Sequence, residues 1–196
     1  MTETSSSLAA PWQLPAYRIR RKVFKIFGAS FHVYDGERVA GFCKQKAFTL
    51  REDVRVFADE RQQHELMWIR ARQVLDFAAF YDIVDSGTQQ KLGALRRRGF
   101  KSIVRDSWEV LDDTDRPVAR VEEDSAALAL VRRFLTNLVP QTFHLSGQQG
   151  GAATFRQRFN PFVYSLDIAV PADVAVDPRI VFAAAVMLAA IEGRQS

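Results

Sequence analysis

The chain has 196 residues, of which 47% are hydrophobic, and a formal net charge of +4. This length fits one domain or at most two small ones, and the hydrophobic content suffices for a sizeable core. The single cysteine, Cys43, excludes an internal disulfide and a zinc site built from several cysteines. We therefore expect the protein to work in a reducing compartment.

Residues 1–16 are serine-rich and contain Pro11 and Pro15, and they offer no periodic apolar face. The first ten residues also lack the basic start and the apolar run of a signal peptide. This composition predicts a disordered tail that contributes little to folding. The alternative is that Trp12 and Leu14 dock on the folded domain. Residues 17–196 are expected to form a single domain.

Short extended segments dominate the chain as far as residue 121 and resume after residue 140. They are apolar runs or alternations of apolar and polar residues, a pattern typical of β-strands. The pair Asp35-Gly36 lies between two such segments, and Asp-Gly in this setting indicates a hairpin. The predicted strands are residues 23–27, 31–34, 39–45, 54–57, 67–72, 77–84, 108–110, 118–121, 142–145, 153–159 and 162–168.

A short pattern occurs three times: an aromatic residue, then Val or Ile two positions later, then Asp two positions after that. Each copy is followed by a turn and a pair of small or aliphatic residues. An aspartate at a strand end is suited to cap the turn backbone, so we interpret the pattern as three similar hairpins. The copies are Phe31 to Asp35 with Val39-Ala40, Tyr81 to Asp85 with Leu92-Gly93, and Trp108 to Asp112 with Val118-Ala119.

An amphipathic helix is predicted at residues 125–138. This segment places its apolar side chains on one stripe, follows three acidic residues and precedes Pro140. Acidic residues before the first turn interact favourably with the positive end of the helix dipole.

A second helix is predicted at residues 178–192, where residues 180–191 contain no polar residue on any face. Asp177 is suited to cap its start, and Gly193 is suited to its exit. A helix that is apolar on all sides is buried in protein or in lipid. Twelve residues span roughly 18 Å, too short for a bilayer core of roughly 30 Å, so we expect burial within the chain itself.

Many short strands around one apolar helix indicate a mainly β fold, in which a barrel encloses the C-terminal helix. Closing a sheet into a barrel removes its exposed edges. Small side chains suit a helix in a narrow interior, and five alanines lie in this one: Ala183, Ala184, Ala185, Ala189 and Ala190.

The order of these segments resembles the tubby C-terminal-like superfamily, which includes the LURP-one-related proteins and the phospholipid scramblases. The resemblance implies a barrel of about twelve strands around the C-terminal helix. It covers roughly residues 17–192 and rests on three segments: Phe31 to Asp35, Tyr81 to Asp85 with Gly93 to Arg97, and Tyr164 to Ile168 leading into the apolar helix.

Scramblases carry an acidic stretch, proposed to bind calcium, before a last helix that extends into the membrane. Asp167, Asp173 and Asp177 occupy the comparable region here, but they are widely spaced and Pro171 interrupts them. The apolar helix is too short to match the inserted segment, and no cysteine-rich palmitoylation stretch is present. The resemblance therefore does not carry calcium binding or scrambling over to this chain.

Residue types that usually carry catalysis or bind metals are scattered along the sequence. His32, His64 and His144 lack metal-ligand spacing, and Cys43 is expected to be a buried, unreactive thiol. The run Asp112 to Asp115 lacks the glycine and distal glutamate of a calcium loop and is predicted to form a hairpin turn. No phosphate loop, nucleophile elbow or pair of catalytic carboxylates is apparent. We predict no enzyme activity, no metal site and no cofactor.

Charge is strongly segregated along the chain. Residues 18–25 contain five basic residues and no acid, residues 91–105 contain six and no acid, and residues 106–124 hold eight acids against two arginines. Basic runs attract phosphate-rich partners. The alternative is that the basic and acidic segments pair with each other or face water.

Tubby domains bind phosphoinositide head groups through basic side chains on the barrel, and the resemblance implies that class of ligand here. In a strand, Arg96 and Arg98 point to one side and Arg97 to the other. The competing interpretation pairs this run with the acidic residues 106–124. The candidate residues for head-group or phosphate binding are Arg96, Arg97, Arg98, Lys101 and Arg105.

We predict a non-enzymatic, cytoplasmic module that binds anionic phospholipid head groups or an acidic membrane surface peripherally. The alternative is a protein-interaction or scaffold module without a lipid ligand, and a third class is an enzyme or carrier that uses the barrel mouth. We expect no nucleic-acid partner and no transmembrane span. A compact patch of four or more basic residues beside exposed aromatic side chains would favour the lipid module, and dispersed charge would favour the scaffold.

Overall fold

The computed structural model describes residues 10–24, 28–45, 53–75, 78–98, 107–124, 140–160 and 163–191. Within them, twelve antiparallel strands form a closed barrel, and a helix follows the last strand. The strands are β1 (Ala16–Phe24), β2 (Gly28–Asp35), β3 (Arg38–Gln45), β4 (Asp53–Phe57), β5 (Glu65–Leu75), β6 (Ala78–Asp85), β7 (Lys91–Arg98), β8 (Ser107–Leu111), β9 (Pro117–Glu123), β10 (Thr142–Gly147), β11 (Ala152–Arg158) and β12 (Ser165–Ala169). The helix is α1 (Pro178–Ile191), and a short 3-10 helix (Pro11–Gln13) precedes β1. The amphipathic helix predicted at residues 125–138 lies outside the described residues.

Each strand pairs with the next along the chain, and β12 pairs with β1 to close the barrel. The closing register places Ala16 opposite Ala169. The predicted barrel is therefore confirmed. Its first strand begins at Ala16 rather than at the predicted residue 23, because Tyr17 and Ile19 form a buried row between basic neighbours.

The predicted central helix is confirmed as α1, which is enclosed on every side. All residues from Ile180 to Ile191 are at most 5% exposed, so no face of the helix reaches solvent. Asp177 caps its start as predicted, since its Oδ1 accepts a hydrogen bond of 2.8 Å from the Arg179 backbone N–H. Burial opposes ionisation of Asp177, but hydrogen bonds from the Arg179 side chain and backbone outweigh it and lower the pKa of this carboxyl.

The three repeated sequence patterns form the three hairpins β2–β3, β6–β7 and β8–β9, as predicted. In each hairpin the strand register shifts directly after the Val or Ile of the pattern, at Val33, Ile83 and Val110. A bulge of this kind bends a strand and increases its twist. The repeated pattern therefore marks a bend as well as a turn, and both help the sheet to curve into a barrel.

The residues directly before β1 pack against the barrel, whereas residues 1–9 of the predicted tail lie outside the described residues. The Trp12 ring meets the Phe182 ring of α1 edge-on, with 5.9 Å between the ring centres. Pro11 is buried beside Gly41, where an added β-carbon would lie 2.6 Å from the Pro11 Cγ. Trp12 and Leu14, the two apolar side chains of the segment that are able to dock, both pack against the hydrophobic core.

Replacing Trp12 with alanine should therefore lower the stability of the whole barrel. A buried aromatic contributes about 3–5 kcal/mol when it is truncated, and Trp12 is only partly buried, so we expect a loss of about 2 kcal/mol. Thermal unfolding followed by circular dichroism measures this loss. Trp12→Phe, which keeps an edge-on ring contact, should lose less, and equal melting temperatures for wild type and Trp12→Ala would contradict the packing role.

Candidate functional site

The basic run singled out from the sequence lies on β7 and beyond it. Arg96 contacts Glu109 of the neighbouring strand β8, and Arg97 lies over the Trp108 ring, 5.7 Å from its centre. The pairing of Arg96 with Glu109 is of the kind expected between the basic and acidic segments. The side chain of Arg98 and the residues Lys101 and Arg105 lie outside the part of the chain that the structure describes. Head-group binding by this run stays a prediction.

A different group of basic residues forms a compact surface where the barrel closes. Along β1 the side chains alternate, so Arg18, Arg20 and Lys22 point outward, whereas Ile19 and Arg21 are buried. This strand carries the first basic run of the sequence. Alternation along it turns a linear run into a row of cations on the outer face.

The cross-strand registers bring two more arginines next to that row. Asp167 of β12 lies opposite both Arg18 of β1 and Arg156 of β11. Two residues along, Ser165 of β12 lies opposite both Arg20 and Arg158. Neighbouring strands are about 4.8 Å apart, so each pair of arginines is separated by about 10 Å across one intervening residue. We call the four arginines 18, 20, 156 and 158 the arginine patch.

One carboxylate balances part of the charge of the arginine patch. Asp167 Oδ1 lies 2.6 Å from the Arg18 Nε, and Asp167 Oδ2 lies 3.2 Å from the Arg158 Nε. Among the described residues, no acid forms a salt bridge with Arg20 or Arg156. Arg20 instead lies over the Tyr34 ring, 5.6 Å from its centre. The patch therefore holds a local excess of positive charge.

The arginine patch surrounds a hollow of about 550 Å³ on the outer face of the barrel. Phe159, which directly follows β11, lines this hollow and is 58% exposed. Ser165 lies between the flanking arginines and is almost fully buried. The hollow thus combines four guanidinium groups with an exposed aromatic ring.

Two clusters of arginines on other faces of the barrel are held in balanced ion pairs. Arg72 contacts both Asp82 and Asp115, and the Lys91 Nζ lies 2.6 Å from the Asp115 Oδ1. Hydrogen bonds from Arg72 and then Lys91 lower the pKa of Asp115 to about 2. On β4 and β5, Arg55 and Arg70 share Asp53, and Arg55 also contacts Glu65. These clusters neutralise their own charge, which distinguishes them from the arginine patch.

The LURP-one-related family model matches residues 39–189, which is most of the chain. The chain belongs to the LURP-one-related family. This family is part of the tubby C-terminal-like superfamily, and its members are generally non-enzymatic. No curated protein and no solved structure matches this LURP-one-related chain significantly.

The histidines and the cysteine occupy separate places in the LURP-one-related barrel. Cys43 is buried, and burial raises the pKa of its thiol, as an unreactive structural cysteine requires. His64 is exposed, and the His144 Nε2 lies 3.6 Å from Asp124. Within the described ranges, no group of three or more His, Cys, Asp or Glu side chains is placed to hold a metal ion.

The acidic run of the LURP-one-related chain forms the predicted hairpin turn between β8 and β9. Asp112 Oδ1 accepts hydrogen bonds from the backbone N–H groups of Thr114 and Arg116, at 2.9 and 2.8 Å. The bond from Arg116, followed by that from Thr114, lowers the pKa of Asp112.

The helices of the described residues include none with the length and apolar character to cross a bilayer.

Proposed function

We propose that this LURP-one-related protein binds anionic phospholipid head groups peripherally through the arginine patch. The observation that supports the proposal is the arrangement of four arginines in two cross-strand rows around one carboxylate, beside an exposed Phe159. A compact basic patch next to an exposed aromatic ring is what favours a lipid module over a scaffold with dispersed charge.

The chemistry of the arginine patch suits recognition of phosphate. A guanidinium group offers a planar fork of donors that matches two phosphate oxygens and stays charged at all physiological pH values. Arg20 and Arg156, which have no described acid partner, are placed to donate to a head group. Asp167 holds Arg18 and Arg158 in position by its two oxygens.

Phe159 adds an apolar contact at the border of the arginine patch. Aromatic side chains are enriched where a membrane meets water, since one part of the ring is apolar and the surroundings are wet. An exposed ring beside cations is therefore suited to the interface between head groups and acyl chains. Arginines do not transfer protons at neutral pH, which suits binding rather than catalysis.

The expected affinity is modest and depends on salt. Each basic residue near an anionic surface contributes about 1 kcal/mol. Four such contributions correspond to roughly millimolar affinity for a single head group. Binding is therefore expected only on membranes with many anionic lipids, where several head groups are within reach.

Co-sedimentation with phosphatidylcholine vesicles that contain increasing phosphatidylglycerol tests this proposal. Arg20→Gln with Arg156→Gln should weaken binding tenfold or more, because two contributions of about 1 kcal/mol are removed. Binding should also fall between about 0.01 M and about 0.15 M salt, as the Debye length shortens from about 30 Å to about 8 Å.

The matched control is Arg61→Gln with Arg116→Gln, which makes the same change in net charge at two exposed positions outside the patch. This control should bind vesicles nearly as well as wild type. Equal loss in both double variants would show that only net charge matters. Wild-type protein that ignores anionic vesicles at low salt would refute the proposal and leave the protein-interaction module as the better interpretation.

A further inference from the structure

A cleft of about 420 Å³ opens on the outer face of the barrel next to the arginine patch. We call it the His32 cleft. Strand β2 forms its floor, with Ser30 and His32 two positions apart and therefore on the same face. The Arg20 of the patch lies opposite His32, so the cleft and the patch are contiguous. Its lining residues are Lys22, Ala29, Ser30, His32, Phe42, Lys44, Glu60 and Gln62.

Two lysines stand on opposite sides of this floor. Lys22 of β1 and Lys44 of β3 both lie opposite Ser30 in the strand registers, and both are exposed. Their backbones are about 10 Å apart, which is the width of two strand spacings. Two flexible ammonium groups are thereby able to converge above the Ser30 hydroxyl.

The turn between β4 and β5 lies over the cleft and brings a carboxylate into it. The Glu60 Oε1 contacts the His32 Nε2, although the Glu60 side chain is itself 61% exposed. The neighbouring Gln62 Oε1 lies 3.5 Å from the Lys44 Nζ. The cleft therefore already holds one anionic group, on a side chain that remains mostly in solvent.

His32 is a buried polar side chain with an unfilled hydrogen-bonding capacity. It is 4% exposed, and its Nδ1 has no hydrogen-bond partner among the described residues. Its ring meets Phe42 edge-on, with 5.2 Å between the ring centres, which fixes its orientation. The ring nitrogen that meets the Glu60 carboxylate is Nε2, so a ligand that replaces this carboxylate would bind His32 at Nε2.

We propose that the His32 cleft binds a phosphomonoester, which replaces the Glu60 carboxylate. A phosphomonoester carries up to two negative charges and three terminal oxygens, and these match two lysines, a hydroxyl and an imidazole. The apolar walls at Ala29 and Phe42 suit the carbon side of the ester.

The ligand is either a free phosphomonoester or one carried by a lipid head group. The lipid-borne form rests on the proposed function, because the adjoining arginine patch would then contact neighbouring head groups. The free form does not depend on it. In both forms, the Glu60 carboxylate competes with the ligand, so its removal strengthens ligand binding.

Titration calorimetry with glycerol 3-phosphate tests the shared chemistry. Lys44→Gln should weaken binding about tenfold, since a charge-assisted hydrogen bond is lost. Glu60→Gln should strengthen binding severalfold, a gain that damage to the fold would not produce. Arg61→Gln, a charge-matched change on the same turn, should leave the affinity unchanged because Arg61 does not line the cleft.

Vesicle binding then distinguishes a free phosphomonoester from one carried by a lipid head group. Phosphatidic acid presents a phosphomonoester and carries more negative charge per lipid than phosphatidylglycerol, which presents a phosphodiester. The fraction of phosphatidylglycerol is therefore raised until the two kinds of vesicle have equal surface potential. A preference for phosphatidic acid that disappears in Lys44→Gln supports the lipid-borne form. Binding of glycerol 3-phosphate without such a preference supports the free form.

Two results would overturn the inference: wild-type protein that neither binds glycerol 3-phosphate nor prefers phosphatidic acid, or binding that is unaffected by both Lys44→Gln and Glu60→Gln. If instead the proposed lipid binding by the arginine patch were wrong, the experiments would give a different result. Glycerol 3-phosphate would then bind in solution while wild-type protein ignored every anionic vesicle.

Discussion

Deleting residues 178–196 should leave a chain without a cooperative fold. The deletion removes α1 from the centre of the barrel, where its large apolar side chains are each worth about 1.5–3 kcal/mol. Their sum reaches or exceeds the total stability of about 5–15 kcal/mol that a folded domain has. The buried large side chains are Ile180, Val181, Phe182, Val186, Met187, Leu188 and Ile191. Gel filtration and near-ultraviolet circular dichroism should show an aggregated or molten chain.

Met187→Arg tests the same role without changing the chain length. Met187 is 1% exposed, so the substitution places an unpaired charge in the core. Met187→Leu conserves volume and should cost less than about 1.5 kcal/mol, which makes it the matched control. A truncated chain that stays soluble and melts cooperatively would disprove the structural role of the helix.

Gly93→Ala should be the most damaging conservative change in the sheet. A β-carbon at Gly93 would lie 2.4 Å from the Leu111 carbonyl oxygen and 2.9 Å from the Ile180 Cδ1. Both neighbours belong to the packed barrel, so the backbone must shift. Overpacking of this kind typically costs about 1–3 kcal/mol, and we expect the upper part of that range. For a chain of this size, the melting temperature should fall by about 5 °C or more.

Gly87→Ala is the control for that experiment, because Gly87 lies in the turn of the same hairpin. Its added β-carbon would meet only the Asp85 Oδ1, at 3.4 Å, which is ordinary contact. Its melting temperature should stay close to that of wild type. If Gly93→Ala and Gly87→Ala had the same melting temperature, the close approach of β8 and α1 to Gly93 would not restrict the residue at this position.

Local sequence patterns predicted the elements of this fold because the information for them is local. The Val or Ile between an aromatic residue and an aspartate marked three hairpins, and all three form. The unbroken apolar run from residue 180 marked the enclosed helix. Neither prediction needed knowledge of which distant segments touch.

The arginine patch was not apparent for the opposite reason. It exists only where β12 closes onto β1, and the Arg18 to Asp167 contact joins residues 149 positions apart. The sequence showed the basic run on β1 and the Arg156-x-Arg158 spacing separately. The head-group site was predicted instead at the longer local run around Arg96, although Arg96 contacts Glu109. Clustering of charge on a barrel depends on its closure, which local runs do not reveal.

The closed barrel also has a kinetic consequence. The β1–β12 seam joins segments at the two ends of the domain, and α1 follows the last strand in the chain. The sheet cannot close around the helix until both the seam strands and the helix are present, so the final contacts span nearly the whole domain. Topologies dominated by such distant contacts fold slowly, because the entropy of a large loop is lost before any stabilising contact forms. Until the barrel closes, the unpaired edges of β1 and β12 and the apolar helix are exposed to other chains. Closure removes these edges from the native sheet, but the partly folded sheet is for the same reason prone to aggregation.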